Sequence, residues 1–80
     1  MTPTVRQRLE ELATQLHLRH EDTAPAAAAH ADVEAALGND DAVHGLGDRL
    51  EMFAVELETE HPTLTSMIRA VVVDLHALGV

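Results

Sequence analysis

The sequence predicts an all-α protein of four short amphipathic helices, and two observations support this. Apolar side chains recur at steps of three and four residues, the period of a helix with one buried face. Proline or glycine stands at the boundaries between these segments. The stretch 71–73 favours a strand by propensity, but it lies inside a helical stripe. We therefore expect one small helical domain over residues 1–80, with helices at 3–20, 25–37, about 42–60 and 62–78.

The first helix has clear signals at its start. Thr2 or Thr4 can cap it, and Pro3 suits the first helical position. The spacing of its apolar residues predicts a single buried face. That face comprises Val5, Leu9, Leu12 and Leu16.

The second helix is rich in alanine, the best helix former. Pro25 suits its start, and Gly38 fits a left-handed end. We expect this helix to be the weakest-held element, because small side chains contribute little burial. Its predicted buried stripe is Ala26, His30, Val33 and Leu37.

The third helix follows a run of polar residues. Asp40 or Asp41 fits its N-cap, while Gly45 and Gly47 weaken its first turn. A firm helix is expected only from about Asp48. The predicted stripe is Leu46, Leu50, Phe53 and Leu57.

The dipeptide His61-Pro62 separates the last two helices almost without a loop. An antiparallel helical hairpin needs a connection of about 2–5 residues, so we expect a corner there. A corner leaves apolar faces uncovered, and a second copy of the chain would complete the fold. We therefore expect a homo-oligomer, with a dimer favoured. The predicted interface or core residues are Leu50, Phe53, Leu57, Leu64, Ile68, Val71 and Leu75.

Composition excludes several classes of partner. The formal charge is -9, the five basic residues are scattered arginines, and the single aromatic residue is a phenylalanine. Nucleic-acid binding needs clustered cations and stacking rings, and anionic lipid surfaces repel acidic proteins. No stretch approaches the roughly 20 apolar residues of a membrane span. With no cysteine and no signal-peptide pattern, a cytoplasmic protein is expected.

Enzyme signatures are absent from the sequence. Ser66, the single serine, lacks the surroundings of a nucleophile elbow, and Gly45 and Gly47 do not complete a phosphate-binding fingerprint. We expect no catalytic residue and no cofactor.

Six histidines raise the possibility of a metal site or of a response to pH. His17, His20 and Glu21 share one helical face, and Glu58 with His61 has the spacing found in di-metal bundles, where a homodimer would supply the second motif. These five residues are weak candidate ligands. The simpler reading places them at a helix end and at the corner. Protonation of all six histidines would reduce the negative charge and favour association.

The C-terminal half resembles a known family. The residues concerned are Leu57-Glu58-Thr59-Glu60-His61-Pro62-Thr63-Leu64, then Arg69, then Leu75-His76-Ala77-Leu78-Gly79-Val80, with Arg49-Leu50-Glu51 upstream. They resemble the shared ending of the bacterial domain-of-unknown-function 4404 family, with Leu57 in place of the usual Phe and Val80 in place of the final Ile. The resemblance implies a helical bacterial cytosolic protein without a known activity. It singles out Glu58, His61, Pro62 and Gly79 as a structural motif.

These observations favour a self-associating structural or protein-interaction module, which would also accept an unidentified protein partner. One alternative is a metal-binding or metal-responsive helical protein that uses the histidine and glutamate candidates. A second alternative is an acidic protein that occupies the basic surface of a partner.

Overall fold

The computed structural model describes residues 2–19 and 24–79 of the chain. Its secondary structure within these ranges is entirely helical, which confirms the predicted all-α class. One turn of 3₁₀ helix over Asp40–Val43 precedes the third α-helix. The four α-helices are α1 (Pro3–Arg19), α2 (Ala24–Gly38), α3 (Leu46–Leu57) and α4 (Pro62–Ala77).

Helix α1 begins as its sequence predicts. The Thr2 hydroxyl accepts a hydrogen bond from the Val5 N–H at 3.3 Å, and the Thr2 carbonyl accepts one from the Arg6 N–H at 2.9 Å. Pro3 is the first helical residue, where its missing N–H costs nothing. The predicted stripe is buried at every position: Val5, Leu9, Leu12 and Leu16.

Helix α2 buries only part of its predicted stripe: Ala26 and Val33 are fully buried. The other two members, His30 and Leu37, lie half-exposed at the side of the helix, which corrects the prediction for them. Alanine is small enough to let the helix backbone approach its neighbours closely, so alanines take the central positions. The buried face is Ala26, Ala29, Val33 and Ala36.

The segment between α2 and α3 differs from the predicted caps. Gly38 remains part of α2, and the positive φ angles found in the described chain belong to Gly45 (75°) and Gly79 (80°). The Asn39 side chain caps the 3₁₀ turn by accepting a hydrogen bond from the Asp41 N–H at 3.0 Å, so the capping residue is neither Asp40 nor Asp41. The left-handed Gly45 separates the 3₁₀ turn from α3, which explains why α3 begins at Leu46 and not near residue 42.

Helices α3 and α4 form an antiparallel hairpin, and the predicted corner at His61-Pro62 is wrong. Helix α3 ends at Leu57, three residues earlier than expected, so the connection 58–61 is long enough for a hairpin. Near the turn, the Thr65 hydroxyl donates to the Ala54 carbonyl at 3.4 Å. At the far end, His76 Nε2 lies 3.6 Å from Asp48 Oδ1. These two contacts show that the helices pack along their whole length.

The four helices form an up-down-up-down bundle. Helix α1 packs between α2 and α4, and α3 packs between the same two helices on the other side. Arg8 and Asp74 form an ion pair that joins α1 to α4, and Arg49 Nε lies 3.3 Å from Asp32 Oδ2 between α3 and α2. The apolar stripes meet in one core inside a body of 30 × 20 × 18 Å. A single chain therefore buries its own apolar faces.

Candidate interaction surfaces

The residues predicted as interface or core lie inside the chain. Phe53 is half-buried against the core, and the other six members of the set are at most 3% exposed. Side chains buried against the rest of their own chain cannot meet a second copy at the same time. Any association of the folded chain must therefore use residues other than the six that are buried. The six buried members are Leu50, Leu57, Leu64, Ile68, Val71 and Leu75.

The structural motif of the sequence lies around the hairpin. Glu58 follows the last residue of α3, and its Oε2 lies 3.5 Å from Arg69 Nη2. His61 precedes α4 with its N–H bonded to the Leu57 carbonyl at 2.8 Å, and Pro62 is the first helical residue. Gly79, in left-handed geometry, follows the end of α4. This placement gives the motif residues a role in the turn and in the helix ends.

An ion pair marks the outer side of the hairpin. Arg69 Nε lies 3.6 Å from Glu51 Oε1 across the contact between α3 and α4. That nitrogen is buried without a hydrogen bond, because the carboxylate oxygen is slightly too far away. The same guanidinium reaches Glu58 just beyond the end of α3, so Arg69 connects two acidic side chains to α4.

Two exposed valines flank this ion pair. Val55 follows Glu51 by four positions and Val73 follows Arg69 by four, so each shares a helix face with one member of the pair. Because the helices are antiparallel, the valines lie about 6 Å to either side along the hairpin. Val55 is 59% exposed and Val73 is 67% exposed. We call Glu51, Val55, Arg69 and Val73 the outer seam.

A groove of about 480 Å³ lies between α1 and α2. The His17 and His30 rings meet at one end, with centroids 5.4 Å apart and planes inclined at 40°. His30 Nε2 lies 3.3 Å from Glu34 Oε1. At the other end, Glu10 Oε1 lies 3.3 Å from Arg6 Nε. The lining is completed by Ala13, Thr14 and Leu37.

The weak metal candidates do not form a cluster in the described ranges. His17 lies in the groove, whereas His20 and Glu21 fall outside the residues that the structure describes. Glu58 and His61 belong to a turn and not to a helix, so their spacing does not place them on one helical face. Within residues 2–19 and 24–79, no three His, Asp or Glu side chains are grouped as ligands of a metal ion.

Neither surface is predicted by the sequence alone. The stripe of α2 predicts that His30 is buried, although its spacing to Glu34 indicates a pair on the side of the helix. Val55 and Val73 carry no pattern of their own, because their relation depends on how α3 and α4 align. The groove likewise depends on the alignment of α1 with α2.

The fold and these surfaces define a small acidic four-helix module. Across the part of the chain described, none of the helices combines the length and apolar character needed to cross a bilayer. The chain belongs to the family described as Domain of unknown function (DUF4404), whose model matches residues 4–80. This confirms the resemblance found in the C-terminal half and extends it over α1 and α2. Comparisons with curated proteins and with solved structures gave no match.

Proposed function

We propose that this protein acts by binding, as a protein-interaction module that self-associates into a dimer through the outer seam. The observation that carries the proposal is the position of Val55 and Val73, both more than half exposed, on either side of the ion pair between Glu51 and Arg69. A line of two apolar side chains around a pair of opposite charges is complementary to a second copy of itself.

The seam suggests how the two copies would be arranged. A two-fold axis along the seam places Glu51 opposite Arg69 of the partner subunit, and each valine opposite its own counterpart. An axis across the seam would place Glu51 against Glu51 and is disfavoured by charge. Met52, which is 68% exposed on α3, would widen the apolar contact.

The expected dimer is weak. Burial of each seam valine contributes about 1–2 kcal/mol, and a dimer buries four of them. Association of two proteins costs at least about 4 kcal/mol of free energy, because translational and rotational entropy is lost. At most about 4 kcal/mol then remains, and together with repulsion between two chains of charge -9 this predicts dissociation in the millimolar range.

Light scattering on a sizing column tests this proposal. We expect the wild-type mass to approach twice 8.6 kDa as the concentration rises, and Val73→Asp to keep the chain at 8.6 kDa. The matched control is Leu18→Asp, which adds the same charge at a side chain 70% exposed on α1 and should leave the dimer intact. A wild type that stays monomeric up to about 5 mM, or a Val73→Asp protein that still dimerises, contradicts the proposal.

A further inference from the structure

The groove between α1 and α2 combines an apolar floor with a charged rim. Ala13 is buried in the core beneath it, and the half-buried Leu37 forms part of one wall. Its volume of about 480 Å³ falls in the range of sites that hold one or two side chains of a ligand. It also lies on the pair of helices opposite the outer seam, so dimerisation leaves it accessible.

The rim is acidic in a protein of charge -9. Glu10 and Glu34 stand at opposite walls with side chains 57% and 56% exposed. Arg6 offsets part of the Glu10 charge, but exposed pairs of this kind are weak and exchange partners readily. The neighbour of Glu34 is His30, which neutralises it only when the imidazole is protonated. The groove therefore presents carboxylates to a cationic ligand.

Two imidazole rings favour a planar cation over a compact one. The His17 and His30 rings both line one end of the groove, and their planes are inclined at 40° to each other. A guanidinium stacks on such rings and forms two parallel hydrogen bonds with a carboxylate, whereas an ammonium does neither. The aliphatic stem of the same side chain can lie on the apolar floor.

We infer that this groove binds an arginine-bearing segment of a partner protein, with the guanidinium against His17, His30 and Glu34. The occupant is identified by charge and by shape: a cation to match the carboxylates, a plane to match the rings, and a methylene stem to match the floor. Binding of this segment does not depend on the dimer, so an experiment can refute one proposal without refuting the other.

Fluorescence anisotropy with a labelled decapeptide of alternating glycine and arginine tests the inference at about 0.15 M salt. We expect saturable binding by the wild type and at least about threefold weaker binding of the same peptide with lysine. Glu10→Gln with Glu34→Gln should weaken binding of the arginine peptide by about tenfold. Thr14→Phe should weaken it comparably by filling the groove without a change of charge.

The matched control is Glu56→Gln with Glu60→Gln, which removes the same charge from exposed positions outside the groove. Binding by this variant should stay within about twofold of the wild type. The inference is overturned if the wild type shows no saturable binding below about 1 mM, or if the control pair weakens binding as much as the groove pair. Unchanged binding by Thr14→Phe, or equal binding of the lysine peptide, overturns it as well. Circular dichroism of each variant verifies that the helices are intact.

Discussion

Ile68→Asp is expected to unfold the chain. Ile68 is fully buried on the core face of α4, and its side chain contributes to the common core of all four helices. Loss of its apolar burial and insertion of an unpaired carboxyl group together cost several kcal/mol. A domain of 80 residues has a total stability of only about 4–12 kcal/mol. The variant should lose most of its helical circular dichroism at 25 °C or melt tens of degrees lower.

The control for this variant is Ser66→Asp, two residues earlier on α4, where the side chain is exposed. It introduces the same carboxylate without burying it and should melt within a few degrees of the wild type. If Ile68→Asp keeps full helicity and a wild-type melting temperature, Ile68 does not belong to a packed core and the bundle described above is wrong.

Ala29→Leu is expected to destabilise the protein although leucine is nearly as good a helix former as alanine. Ala29 is fully buried where α2 meets the rest of the bundle. Three added carbon atoms must displace neighbours in a close-packed interior, which costs about 1–3 kcal/mol. In a domain of this size that corresponds to a fall in melting temperature of about 5–20 °C.

Its neighbour in the same alanine run supplies the control. Ala28 is exposed, so Ala28→Leu should change the melting temperature by no more than about 3 °C. Thermal unfolding followed by circular dichroism distinguishes the two positions. Equal effects at Ala28 and Ala29 would show that α2 does not bury the face assigned to it.

Much of the fold could be predicted from the sequence because three of the helices carry large apolar residues. A leucine placed every three or four positions defines the inner face of a helix whatever its neighbours are. Thr2 and Pro3 mark the start of α1 through purely local chemistry. Pro62 likewise begins α4, since its ring and missing N–H suit a first helical residue.

The errors arose where local signals were weak or ambiguous. In α2 the alanines are almost equivalent along the sequence, so spacing alone assigns the buried face to the larger Leu37 and His30. Only the packing of the helices shows that alanine fits the central contacts. The predicted corner depends on an α3 that continues to residue 60. No proline or glycine directly follows Leu57 to mark the true end of the helix. Because residues 58–60 belong to the connection and not to α3, the connection is long enough for a hairpin.

The surfaces required information that no single helix contains. Val55 and Val73 are eighteen positions apart and are related only through the alignment of α3 with α4 around Arg69. His17 and His30 meet only because α1 and α2 run antiparallel. Spacing along one helix predicts neighbours on that helix, and contacts between helices depend on the register of packing.

One chain completes its own core, and association is a separate event on its surface. The most direct test is thermal unfolding of Val55→Asp with Val73→Asp at about 5 and 500 µM, with the mass measured on the same samples. We expect a mass of 8.6 kDa, full helicity and one cooperative transition at the same temperature at both concentrations. A double variant that loses its helices whenever it is monomeric would show the opposite, namely that the second copy is part of the fold.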